Sequence, residues 1–67
     1  MRSAAEQEII DFYKERLDLI LEDAKATNRT RSRTEQAIRK AARGYNPLDI
    51  EEYLTERKSR LDELRRE

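Results

Sequence analysis

Charged side chains, rather than catalytic ones, carry the chemistry available to this sequence. The chain contains no cysteine and no histidine, so it has no thiol nucleophile, no imidazole base and no zinc site of the usual kind. It has one glycine in 67 residues, which rules out a glycine-rich phosphate loop. We therefore expect a chain that is not an enzyme, with no catalytic residues, no cofactor, no metal site and no small-molecule substrate.

Four carboxylates follow each other at steps of four, three and four residues: Asp11, Glu15, Asp18 and Glu22. This spacing lines them along one face of a helix. A row of carboxylates could hold a metal ion, but helical carboxylate sites point into a bundle and use histidines, which this chain lacks. The row therefore favours a solvated acidic face, with docking of a basic surface as its functional alternative.

Basic residues concentrate in the middle of the chain. Residues 1–26 carry four basic and seven acidic groups, residues 27–43 six and one, and residues 44–67 five and seven. Arginine suits the binding of phosphate or carboxylate because its planar group donates two parallel hydrogen bonds. The candidate residues for binding an anion or a partner are Arg29, Arg31, Arg33, Arg39, Lys40 and Arg43. Alternatively, these cations project into water or fold back on acidic side chains.

Capping signals predict the first helix and the segment that follows it. Ser3 and Glu6 have the spacing of a capping box, and the next twenty residues contain no glycine or proline. This pattern favours a helix at about 4–26. Residues 27–32 are rich in arginine, threonine and serine and have no apolar anchor, so they predict a mobile polar linker.

Similar signals predict two further helices. Ser32 repeats the capping-box spacing before a helix at about 33–43, which stops at the single glycine. Asn46 can cap the next helix, and Pro47 suits its first position because the missing N–H is not needed there. The third helix is expected at about 47–66.

Apolar residues at spacings of three and four predict a core face on these helices. Charged residues make up 45% of the chain and hydrophobic residues 36%, which favours amphipathic helices over sheet. We expect an all-α fold with one small domain over residues 1–67, a three-helix bundle or helical hairpin, alone or completed by a second subunit. The predicted core residues are Ile10, Tyr13, Leu17, Ile20, Ile38, Ile50, Leu54 and Leu61.

A second apolar stripe on the first helix exceeds what the small, alanine-rich second helix can cover. Phe12 and Leu19 lie seven residues apart on this stripe. Arg57 takes an apolar position in the seam of the third helix, so it either extends into water or pairs with a carboxylate such as Asp23. The predicted apolar interface comprises Phe12, Leu19 and Tyr53, and the predicted polar interface comprises Arg16, Asp23 and Arg57.

The stretch from Arg43 to Leu54 resembles the Arg-Gly-Tyr turn and the following acidic helix of DivIVA-type cell-division scaffold proteins. The resemblance covers twelve of the 67 residues. Upstream the chain departs from that family, which has a short hooked segment where this sequence predicts a long helix. The resemblance implies a self-associating scaffold.

Together these features predict a small protein–protein interaction module, regulatory or adaptor in role, that self-associates through the first and third helices. Its expected partner is a second copy or another protein. The alternative is a nucleic-acid-binding accessory protein that uses the arginine-rich segment 29–43. No apolar run approaches the roughly 18 residues that a membrane span needs, and no signal peptide is evident, so we expect no membrane partner and a cytoplasmic location.

Overall fold

A computed structural model describes residues 2–66, which contain four α-helices, one isolated β-bridge and no strand. In chain order the helices are α1 Ala4–Ala26, α2 Arg31–Ala41, α3 Pro47–Glu56 and α4 Lys58–Asp62. The all-α class expected from the sequence is confirmed over this range. The expected number of three helices is wrong, because the third predicted helix is divided into α3 and α4.

Local caps define both ends of α1. The Ser3 hydroxyl accepts a hydrogen bond from the Glu6 backbone N–H at 3.2 Å. At the other end, the Thr27 N–H donates to the Asp23 carbonyl at 2.9 Å and closes the last turn. The predicted range of 4–26 is confirmed. It could be predicted because each cap is made by residues within a few positions of a helix end.

α2 begins at Arg31, earlier than predicted, because Thr30 caps it in place of Ser32. The Thr30 hydroxyl accepts a hydrogen bond from a backbone N–H three residues on, and the Thr30 carbonyl accepts one from the Thr34 hydroxyl at 2.8 Å. Both threonines are buried, whereas Ser32 is an exposed residue of the first turn. Residues 31 and 32 of the expected linker are therefore helical.

Residues near the end of the chain hold the start of α2. The Arg31 backbone N–H donates to the Arg65 carbonyl at 3.0 Å, and Thr30 and Arg65 form a parallel β-bridge. The Arg31 side chain also pairs with Asp62 at the end of α4. The third helix was predicted to reach residue 66, but the last helix ends at Asp62. The chain after Asp62 is not helical, and it brings Arg65 to the start of α2.

The turn between α2 and α3 follows its sequence signals closely. α2 ends at Ala41, slightly before the predicted residue 43. Gly44 has a φ of 97°, a conformation that glycine adopts without a steric cost. Asn46 caps α3 by accepting a hydrogen bond from the N–H two residues on at 2.9 Å, and Pro47 is the first helical residue, as predicted.

Arg57 separates α3 from α4. Its backbone N–H donates to the Tyr53 carbonyl at 3.0 Å, and its carbonyl accepts from the Leu61 N–H at 2.9 Å. Helical hydrogen bonds therefore continue on both sides of a single non-helical residue. Neither glycine nor proline marks this position. The Arg57 side chain is instead bound to α1, a tertiary contact described below.

The core is formed by one face of each helix. Its buried apolar residues are Ile10, Tyr13, Leu17, Leu21, Ala24, Ile38, Ala42, Ile50, Tyr53, Leu54, Leu61 and Leu64. Ile20, predicted to be a core residue, is only partly buried and packs against the edge of the cluster, whereas Leu21 takes the buried position beside it. The buried side of α1 therefore shares one core with residues of α2, α3 and α4 of the same chain.

Candidate interaction surfaces

One side of α1 carries large apolar residues that no other part of the described chain covers. Phe12 is 62% exposed and Leu19 63%, although both are large apolar side chains. Ile9 is equally exposed one turn before Phe12. We call this surface the outer face of α1, and its exposed residues are Ala5, Ile9, Phe12, Arg16, Leu19 and Asp23.

An acidic border runs along one side of the outer face. It consists of Glu8, Glu15 and Glu22, which are exposed and seven residues apart. None of the three makes an ion pair with another residue in the range 2–66. The border combined with the outer face is therefore both apolar and negatively charged.

Asp18, expected in the solvated acidic row, belongs instead to a cluster between α1 and the helices that follow Pro47. Its carboxylate accepts a hydrogen bond from the Tyr53 hydroxyl at 2.6 Å and two from Arg57 at 2.9 and 3.2 Å. The Arg60 guanidinium lies 3.5 Å away, and Arg57 also packs over the Tyr53 ring at 5.0 Å. We call these four residues the Asp18 cluster.

Two interface assignments change as a result. Tyr53, predicted to lie at an apolar interface, is fully buried in the core because its ring packs inside while its hydroxyl reaches Asp18. Arg57 does pair with a carboxylate of α1, but the partner is Asp18 rather than Asp23. Both residues therefore make contacts within the chain. Among the large apolar residues of α3, only Leu48 is exposed.

Opposing effects set the ionisation of the Asp18 cluster. Burial alone would raise the pKa of the Asp18 carboxyl, but hydrogen bonds from Arg57 and Tyr53 hold that pKa below its ordinary value of 3.8. The bond to Asp18 in turn raises the pKa of the Arg57 guanidinium. Burial, and then the same carboxylate, raise the pKa of the Tyr53 hydroxyl. At neutral pH the cluster therefore contains a charged carboxylate and an uncharged tyrosine.

Tyr13 contrasts with Tyr53. Its ring stacks on Tyr45 with centroids 4.3 Å apart and planes 18° from parallel. The buried Tyr13 hydroxyl, however, has no hydrogen-bond partner among the described residues. An unpaired buried hydroxyl lowers stability by roughly 1–3 kcal/mol. The Tyr13 hydroxyl therefore adds nothing to the stability of the fold, and a phenylalanine would serve at this position.

We expect the two tyrosines to respond oppositely to removal of the hydroxyl. Tyr53→Phe should lower the free energy of unfolding by about 1.5–2 kcal/mol, because a hydrogen bond to a charged acceptor is lost. Tyr13→Phe should raise it by about 1–3 kcal/mol, because the cost of burying an unpaired hydroxyl is removed. Urea unfolding of both variants measures the difference. An equal loss for both would mean that the Tyr13 hydroxyl is hydrogen-bonded in solution.

Half of the six candidate anion-binding residues form ion pairs within the chain. The pairs are Arg29 with Asp23, Arg31 with Glu35 and Asp62, and Arg39 with Glu51. The Arg39 contact is 2.6 Å long, and this hydrogen bond raises the pKa of the guanidinium. The acidic flanks of the sequence therefore neutralise part of its basic middle, so the basic surface is smaller than the charge count indicates.

The other half remains exposed. Arg33, Lys40 and Arg43 make no ion pair with any residue that the structure describes. The same is true of Arg65, which the sequence analysis did not single out. No signal in the sequence pointed to Arg65, because its position beside the start of α2 depends on the tertiary fold.

Searches for known relatives and for recognisable sites gave negative results. No protein-family model, no curated protein and no solved structure matches the chain, so the resemblance of segment 43–54 to DivIVA-type scaffolds has no further support. Within residues 2–66 no group of acidic side chains is arranged to hold a metal ion. No helix in the same range has the length and apolar character needed to span a membrane.

Proposed function

We propose that this chain is a non-enzymatic interaction module that self-associates, with two copies packing through the outer face of α1. The observation that carries this proposal is the exposure of Phe12 and Leu19, at 62% and 63%, on one continuous helix face. Small monomeric proteins expose single apolar residues often, but a row along one helix indicates a contact surface. The sequence predicted self-association through the first and third helices. Because Tyr53 and Arg57 make internal contacts, the proposed interface uses α1 alone.

The order of residues along the outer face supports a second copy, in antiparallel orientation, as the occupant. Reversing one copy about a point near Lys14 brings Ile9 opposite Leu19, and Phe12 opposite Arg16. An arginine over an aromatic ring is a favourable cation–π contact. A parallel arrangement would instead place Arg16 opposite Arg16 of the other copy, and repulsion between the two like charges disfavours it.

The acidic border predicts how the strength of this dimer depends on salt. In this antiparallel dimer the two acidic borders run along the same side, so that Glu8 lies within two residues, about 3 Å along the helix, of the level of Glu22 of the other copy, and Glu15 lies equally close to the level of its own equivalent. These repulsions weaken the dimer, and salt screens them. Self-association should therefore become stronger as ionic strength rises. A basic protein docked on the same surface would behave in the opposite way.

Removing one apolar side chain from the outer face should abolish most of the association. Phe12→Ser should weaken the dimer by at least about tenfold, because burial of a phenylalanine contributes about 1.5–3 kcal/mol. Leu48→Ser is the matched control, since Leu48 is exposed but lies outside the outer face. Sedimentation equilibrium at several concentrations measures both, and the melting temperature of the wild type should rise with concentration. A wild-type mass that stays monomeric to about millimolar concentration would refute the proposal.

A charge reversal in the acidic border identifies the partner. Glu22→Lys places a lysine near Glu8 of the other copy, so the antiparallel dimer should become tighter and should lose its strengthening by salt. If the surface docks a basic protein, the same change weakens that complex. A parallel dimer would give neither result, because the acidic borders of the two copies would then lie on opposite sides of the contact, and residue 22 would be far from Glu8 of the other copy.

The nucleic-acid alternative has less support. Of the six residues it would use, three are already engaged with carboxylates, which leaves Arg33, Lys40 and Arg43. Three phosphate contacts would give a modest salt dependence, with a logarithmic slope of about −3 on duplex DNA. The cytoplasmic location and the regulatory or adaptor role stay predictions.

A further inference from the structure

A polar cavity lies where the end of α1, the start of α2 and the end of the described chain meet. It is open to solvent and has a volume of about 480 Å³. Its lining residues are Thr27, Asn28, Arg29, Thr30, Arg33 and Arg65. Three of these are arginines and none is acidic, so the lining is uniformly polar and strongly positive.

The three arginines of this cavity are largely available to a ligand. Arg33 and Arg65 make no ion pair with any residue in the described range, and Arg29 reaches only the exposed Asp23, at 3.8 Å. An exposed ion pair at that distance is weak and readily exchanged. The cavity therefore holds three guanidinium groups that are not neutralised by strong internal partners.

Side chains supply most of the binding groups, because two of the three backbone N–H groups in the first turn of α2 are already bonded. The N–H of Arg31 is bonded to the Arg65 carbonyl, and the N–H of Arg33 is bonded to the Thr30 hydroxyl. These donors are occupied. The positive end of the helix dipole still adds to the local potential, and most of the directed hydrogen bonds come from the guanidinium groups.

We propose that this cavity binds the phosphate groups of a small, multiply charged anion such as a diphosphate. Guanidinium groups bind phosphate oxygens through paired, charge-assisted hydrogen bonds, and three of them match the charge of a diphosphate. The lining contains no aromatic residue on which a nucleobase could stack. The phosphates are thus the part that is recognised, and a nucleoside attached to them should add little.

This site does not overlap the proposed dimer surface, and the two meet only where Arg29 pairs weakly with Asp23 at the end of the outer face. Its lining includes none of the residues of the outer face of α1 or of the acidic border. The Phe12→Ser variant should therefore bind the anion as well as the wild type does. Failure of one proposal leaves the other standing.

Titration with inorganic pyrophosphate, followed by amide chemical shifts, tests the site. Binding should saturate, with the largest shifts at residues 27–33 and 65. Arg33→Gln and Arg65→Gln should each weaken it at least about tenfold, and ADP should bind no more tightly than pyrophosphate. Arg65→Lys keeps the charge but not the planar fork, so it should weaken binding partially. The Arg65 carbonyl that holds α2 is unchanged in both Arg65 variants.

Lys40→Gln and Arg43→Gln are the matched controls, because they remove the same charge from unpaired cations elsewhere. Both should change the affinity by less than about twofold. Equal weakening by all four glutamine variants would show diffuse attraction and overturn the site. Binding that does not saturate by about 10 mM pyrophosphate would also overturn it. So would tight binding of an oligonucleotide that requires Lys40 and Arg43, which would favour the nucleic-acid alternative.

Discussion

Asp18→Ala should lower the free energy of unfolding by about 2–4 kcal/mol, which is most of the stability that a single core of this size supplies. The substitution removes the acceptor of the Tyr53 hydroxyl, whose side chain is fully buried. It also leaves Arg57, which is only partly exposed, without its two-point partner. Glu56 lies 3.6 Å from Arg57 and compensates only in part.

Glu22→Ala is the control for this effect. Glu22 lies one turn after Asp18 on the same helix, but it is exposed and unpaired within the described range, so its loss should change stability by less than about 0.5 kcal/mol. Urea unfolding at pH 7 measures both variants. Equal small effects would show that Asp18 is solvated, as its place in the acidic row first indicated.

The Asp18 effect should also depend on pH. Because the pKa of Asp18 is lowered on folding, its contribution is fully present above the ordinary value of 3.8 and is lost as pH falls through the folded-state pKa. The stability difference between the wild type and Asp18→Ala should therefore narrow at acid pH. A difference that stays constant from pH 7 to about pH 2 would show that the carboxylate charge has no part in the contact.

Leu17→Ala should cost about 2–5 kcal/mol, because Leu17 is 2% exposed and its loss leaves a cavity at the centre of the core. Ile20→Ala should cost less, since Ile20 is only partly buried at the edge of the cluster. Glu15→Ala should cost under about 0.5 kcal/mol. Chemical unfolding of the three variants ranks these positions directly.

The order of these three effects matters more than their size. If Ile20→Ala cost as much as Leu17→Ala at low protein concentration, α1 would be rotated from its described orientation. If the cost of Ile20→Ala appeared only at high concentration, Ile20 would belong to the surface between copies rather than to the core.

Local sequence signals predicted the parts of the fold that depend on neighbouring residues. Ser3 caps α1, and Gly44, Asn46 and Pro47 organise the turn before α3, because each acts through backbone groups a few residues away. Apolar spacing similarly identified the buried face of α1, although it could not decide between Ile20 and Leu21 at the edge of that face. These features needed no knowledge of how the helices pack.

Tertiary contacts decided what the sequence could not predict. The separation of α3 from α4 at Arg57 has no glycine or proline to mark it, and it accompanies a side-chain contact with α1. Asp18 shares its spacing with three other carboxylates, so only the approach of Tyr53, Arg57 and Arg60 in the folded chain distinguishes it. Tertiary contacts also explain why half of the basic residues in the middle of the chain are paired, since most of their carboxylate partners lie in other helices.

The contact between Arg31 and Arg65 has a consequence for how the protein is made. A ribosome releases the chain from its beginning, so α1, with caps made by its neighbours, can form while later segments are still being translated. The start of α2 can form on its own Thr30 cap, but it becomes tied to the rest of the fold later, because its first N–H bonds to the carbonyl of residue 65. Leu61 and Leu64 enter the core equally late. This fold is therefore completed only after residue 65 has left the exit tunnel, and a ribosome stalled before that point would hold a chain in which α1 is still uncovered.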